Sequence, residues 1–135
     1  MVRNVLSVVL AFVIGGLAVF AVEKLGHTVY PIPAGLDPNN LEGLAEYVKT
    51  MPVGALLFVL AAQSAGSLIG GLVTGFVSVA KFPTAMIYGV LALIMAALNA
   101  FAIPHPIWFT IVSLVLPIPL ALLGSRIGRT LWVKT

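Results

Sequence analysis

Where charge is missing is what most limits how this chain can fold. Residues 4–22, 50–80 and 82–125 carry no Asp, Glu, Lys or Arg. A helix rising about 1.5 Å per residue crosses a hydrocarbon layer of about 30 Å in about 20 residues. The first two runs are each long enough for one crossing and the third for two. A soluble domain carries about 25% charged residues; here the figure is 8%, against 61% hydrophobic. In lipid every backbone polar group must be satisfied within the segment, so such runs read as helices. The expected fold class is all-α: an integral membrane four-helix bundle, residues 1–135 forming one membrane domain.

The spans are placed at about 4–22, 53–79, 84–103 and 107–124. The first is long for a signal-peptide core and long enough to span. Lys81-Phe82-Pro83 is a tight connection. Ile103-Pro104-His105-Pro106 divides the last long run, because paired prolines interrupt helical hydrogen bonding. Pro117 and Pro119 fall inside the fourth span and predict a kink. No convincing internal repeat relates the two halves.

Residues 23–52 form the one polar stretch. Its first part, EKLGHTVYPIPAG, is rich in Pro and Gly and is expected to be irregular. Asp37-Pro38 then offers an N-cap with proline at the first helical position. Leu41, Leu44, Ala45 and Val48 follow at amphipathic spacing, predicting a short surface helix over about 38–49 between spans 1 and 2.

Orientation follows from the basic residues. Arg3, Lys81, Arg126, Arg129 and Lys134 fall on the side of the termini; Lys24 and Lys49 fall on the other, with Glu23, Asp37, Glu42 and Glu46. The positive-inside rule puts both termini in the cytoplasm and the 23–52 loop outside, in a cell membrane. Tyr30, Tyr47 and Trp108 suit the outer interface and Trp132 the inner one. The basic residues form no soluble patch, so the +3 net charge does not point to nucleic acid. The chain has no cysteine, which excludes disulfides and thiolate chemistry. No cofactor motif is present, the glycines of 62–78 lying in an apolar run with no preceding strand.

That stretch, AQSAGSLIGGLVTGFVS, carries two small-residue ridges. Ala62, Gly66, Gly70 and Thr74 recur every fourth residue, with Gly71 and Gly75 on the ridge beside them. In water so much glycine weakens a helix by roughly 1 kcal/mol per residue; in lipid such ridges let backbones approach. They predict helix packing, within the chain first and then in a homo-oligomer or with another membrane protein. Ala11, Gly15, Gly16 and Ala18 give the first span a small face to meet them.

Two groups of polar residues invite a functional reading. Gln63 and Asn99 fall at similar depth in the outer halves of their spans. An interhelical hydrogen bond is the favoured account, a polar lining the alternative. No ionisable residue lies mid-span, which argues against an ion-coupled pump but not against a passive pore. On the outer face, Glu23 and His27 lie four apart, Glu42 and Glu46 one helical turn apart, and His105 sits in the other outer turn. Imidazoles and carboxylates suit zinc-like metals or proton transfer, so a metal or enzymatic site is one reading; ordinary interfacial anchoring is the plainer one. The functions expected, in order, are a structural or accessory subunit, a passive channel or carrier for a small solute or cation, and an outer-face metal or enzymatic site.

Overall fold

The computed structural model describes residues 1–134 apart from 38 and 80; the side chains of 81, 82 and 132–134 lie outside that description. The protein is helical over 84% of its length, with no strand among the described residues. Among the described residues six helices follow one another: α1 Val2–Val29, α2 Leu41–Thr50, α3 Val53–Val77, α4 Lys81–Ala102, α5 Ile107–Val115 and α6 Pro117–Lys134. Four helical stretches, Val2–Val29, Val53–Val77, Pro83–Ala102 and Ile107–Leu131, are long and apolar enough to cross a membrane.

The first correction concerns residues 23–29, which continue α1 as regular helix. Gly26 is tolerated because it makes room for a neighbour: a Cβ there would lie 3.0 Å from Cβ of Phe58. The helix stops at Tyr30, whose N–H bonds the Gly26 carbonyl at 2.7 Å. Pro31 follows, and a residue before proline is pushed out of the α region. Helical spacing therefore holds between Glu23 and His27.

The second correction moves the cap of the short helix. Asn40, not Asp37, is the N-cap of α2, its side chain accepting the Gly43 N–H at 3.2 Å. Asp37 instead accepts from Asn39 N at 2.9 Å and closes the preceding turn. Asparagine and aspartate cap comparably well, so composition alone did not decide between them. The proposed role of Pro38 falls outside the described residues, as do the side chains of Lys81, Trp132 and Lys134 in the charge and aromatic patterns. Gly35 has φ +86°, the turn that aims the chain into α2.

The third correction lengthens the last helix, which passes Gly124 and continues to Lys134, its apolar stretch reaching Leu131. Its break lies at Leu116, between α5 and α6. Pro117 and Pro119 have no N–H to donate, yet Leu116 N still bonds Val112 O and Leu120 N bonds Leu116 O, both at 3.1 Å. The two pieces thus run on as one interrupted helical stretch.

The centre of the fold is α3, packed between α1 and α6, with α4 leaning on α6. One core cluster joins Ala11, Val73, Tyr88 and Ala121 across these four helices. Another joins Leu56, Leu60 and Phe109 at the end where α2 lies. At the opposite end α1 is pinned to the end of α3. Arg3 Nε donates to Val77 O, and Asn4 Oδ1 accepts from both Ser78 Oγ and Val79 N. Thr84 Oγ1 extends that network to α4 at 2.8 Å from Ser78 Oγ.

Candidate functional site

Three stripes of matching helical spacing build the principal groove. On α1 they are Phe12, Gly16, Val19 and Glu23; on α3, Val59, Gln63 and Gly66; on α4, Tyr88, Ala92, Met95 and Asn99. Steps of three and four residues keep each set on one helix face. The groove between them encloses about 400 Å³, within the range of small-molecule sites.

Tyr88 forms its inner end. The hydroxyl donates to the Gly66 carbonyl at 2.8 Å, and the ring meets Phe12 edge-on at 5.6 Å. Halfway along, Gln63 Oε1 is buried with no hydrogen-bond partner among the described residues. No hydrogen bond joins Gln63 to Asn99, the arrangement favoured by the sequence; both side chains line the groove instead. Among the described residues Glu23 is the one charged side chain on its wall. Lys24, its neighbour, turns away along α1 to lie over the Phe20 ring, 5.8 Å from the centroid.

Glu23, Val59 and Asn99 also line a second cavity of about 260 Å³, which carries the groove toward α2. His27, Tyr30, Tyr47 and His105 surround it. The outer-face candidates therefore divide. Glu23, His27 and His105 share this cavity, whereas Glu42 and Glu46 do not. Both of those acids are exposed, and Glu46 pairs with Lys49 at 3.2 Å, an ion pair worth little in water. Among the described residues no three His, Cys, Asp or Glu side chains are grouped to hold a metal ion. The surface helix turns its apolar side, not its acids, to the cavity: Leu44 and Val48 line the wall.

His105 lies against Phe109 with ring centroids 4.6 Å apart and planes at 12°. Burial pushes its imidazole below the ordinary histidine value, and a backbone interaction with Ile103 opposes that shift. Its Nδ1 is buried and unpartnered among the described residues.

The six packing residues of α3 are all buried and separate by ridge. Gly66 meets Gly15 and Val19 of α1, and Gly70 lies under the Tyr88 ring. Ala62 is fully buried, and Thr74 Oγ1 bonds the Gly71 carbonyl at 2.7 Å. Gly71 and Gly75 face the backbones of Ala121 and Ser125, where any Cβ would collide with a carbonyl. From the far side, Gly124 and Gly128 press on the carbonyls of Leu68 and Leu72. Gly16 has nothing within 4 Å and belongs to the groove, not to the packing face.

Two features escaped the sequence reading. Gly124 and Gly128 repeat the four-residue spacing already noted in α3, but fell at or beyond the expected end of the fourth span. Tyr88 is the one tyrosine well inside a span, and its hydroxyl needs a buried partner. No protein-family model, curated protein or solved structure matches this chain.

Proposed function

We propose that the chain is a four-span integral membrane protein, with termini cytoplasmic and α2 outside, that binds and passively carries a small amphiphile with a cationic or donor-rich head. The observation that carries this reading is the convergence of Glu23, Gln63 and Asn99, from three helices, on one groove in which Gln63 Oε1 has no partner. A buried amide oxygen without a donor costs about 1–3 kcal/mol, a cost that a ligand donor removes. The remaining wall is apolar, from Phe12, Val19, Val59, Ala92, Met95 and Ala96, and no basic side chain lines it. A hydrophobic body with a positive or N–H-bearing head matches that distribution.

The membrane setting is supported by what the four long helices leave outside. Val5, Val9, Val13, Leu17 and Phe20 of α1 are exposed, as are Leu98 and Phe101 of α4, the last at 82%. In water these faces would be a contiguous apolar liability; in a bilayer they are the ordinary surface. An accessory role through the ridges of α3 has less to recommend it, because both ridges are used up inside the chain.

Reconstituted in liposomes, the wild-type protein should bind and pass a lipophilic cation that carries N–H donors, such as ethidium. Gln63→Leu and Glu23→Gln should each reduce both binding and flux. Equal flux in wild type and both variants discards the groove as the route. Since the chain has no cysteine, single cysteines placed at Asn39 and Thr130 report topology directly, and labelling of both from the same side discards the orientation.

A further inference from the structure

The end of the molecule that carries the termini holds a polar feature unrelated to the groove. Ser125 and Arg129 lie one helical turn apart on α6, and with Arg126 they line a small cavity closed by Leu122 and by Ala85 of α4. Ser125 is 1% exposed and its Oγ has no hydrogen-bond partner among the described residues. Arg129 Nε is likewise buried and unpartnered. Two buried polar groups without a partner, a guanidinium N–H and a hydroxyl, therefore belong to residues lining one small cavity. The chain supplies no carboxylate side chain to answer them, for no Asp or Glu follows Glu46 and Glu46 is paired near the other end of the bundle.

We infer that this cavity is a phosphate-oxyanion site, in which Arg129 Nε and Ser125 Oγ donate to phosphate oxygens and exposed Arg126 closes the rim. Charge, donor geometry and size all support an anion. A guanidinium is a donor-only group whose fork matches phosphate oxygens, and a serine hydroxyl donates as readily as it accepts. The cavity holds about 40 Å³, where one water needs roughly 10–15 Å³, so a few oxygen atoms fit and a larger body does not. Because Arg126 is exposed, the phosphate can belong to a phospholipid headgroup or arrive free in solution.

Full-length protein in mild detergent tests this by native mass spectrometry with phosphatidylglycerol and phosphatidylcholine, and by thermal shift with inorganic phosphate. For a lipid source, phosphatidylglycerol should be retained about fivefold more than phosphatidylcholine. That ratio should fall toward one in both Arg129→Gln and Ser125→Ala. For a free source, inorganic phosphate should raise the melting temperature of wild type and not of Ser125→Ala. Equal retention of the two lipids with no phosphate shift overturns the site. So does a ratio lowered by Arg129→Gln but untouched by Ser125→Ala, since diffuse attraction would ignore a neutral hydroxyl. Ser125→Ala removes a single oxygen, and Arg126→Gln changes only an exposed side chain, so both keep the test readable if Arg129→Gln fails to fold.

Discussion

The two flanks of α3 are built from the same kind of residue and end differently. On the α6 flank both helices contribute small residues: Gly71 and Gly75 from one side, Ala121, Ser125, Gly124 and Gly128 from the other. Backbone meets backbone along two turns and no space remains. On the other flank, Gly15 faces Gly66 and Gly70, and α1 stays packed on α3 as far as Gly26 against Phe58. At that turn α4 presents Tyr88, whose hydroxyl bonds Gly66; beyond it α4 presents Met95 and Asn99, packs less closely on α1, and a groove of about 400 Å³ opens between α1, α3 and α4. Small-residue spacing closes an interface only when both partners carry it; with one partner it leaves room, and here polar groups line that room.

The same glycine-to-leucine change should therefore have opposite consequences on the two flanks. Gly71→Leu places a branched side chain where even a Cβ collides with the Ala121 carbonyl. Backbone cannot yield as a flexible side chain does, so the loss is set at about 3 kcal/mol, the upper end for overpacking. Folded yield and melting temperature in detergent should both drop sharply. A variant as stable as wild type would mean that α3 and α6 are not in backbone contact.

Gly16→Leu tests the opposite flank. Nothing lies within 4 Å of that Cβ position, so stability should change by less than about 0.5 kcal/mol, as at ordinary surface sites. The leucine would intrude on the groove beside Gln63 and should weaken binding of a lipophilic cation. A large stability loss would show that the α1–α4 gap is closed in the working protein and that the contrast between flanks is false.

How much of this could be read beforehand depended on which signal each element carried. The four long helices followed from uncharged length, a signal that tertiary packing does not alter. The ridge at 62–75 was legible because glycine in a long apolar helix has few uses other than close approach. The end of α1 was not, because Gly26 and His27 resemble a loop until Phe58 is known to need the space. The cap of α2 was not, because Asp37 and Asn40 are equally good acceptors and the choice rests on the turn at Gly35. Gln63 and Asn99 were legible as a pair at one depth. Whether they bond each other or line a space depends on the distance between α3 and α4, which Tyr88 bridges to Gly66 about three turns from Asn99, and which spacing along one chain does not encode.

The smallest expected effect separates the flanks by pH. The close α3–α6 contacts are made by glycine, alanine, serine, leucine and phenylalanine, none of which titrates near neutrality. The cavity on the α2 side that shares residues with the groove is lined by His105, whose imidazole burial drives below its ordinary value against the opposing Ile103 backbone. The fold thus favours the neutral ring, and as pH falls the unfolded chain takes up the proton first. His105 stabilises fully above the ordinary histidine value, about pH 6.5, and its contribution is lost as pH falls from there toward the lowered folded value. Wild-type protein should melt at a lower temperature at about pH 5.5 than at about pH 7.5, and His105→Gln should remove part of that difference. Because Phe109 stacks on the imidazole at 4.6 Å, a protonated ring keeps some cation–π attraction, which makes the slope shallow. An unchanged pH slope in His105→Gln would place that ring in water and open that cavity, leaving the seam as the only dry flank of α3.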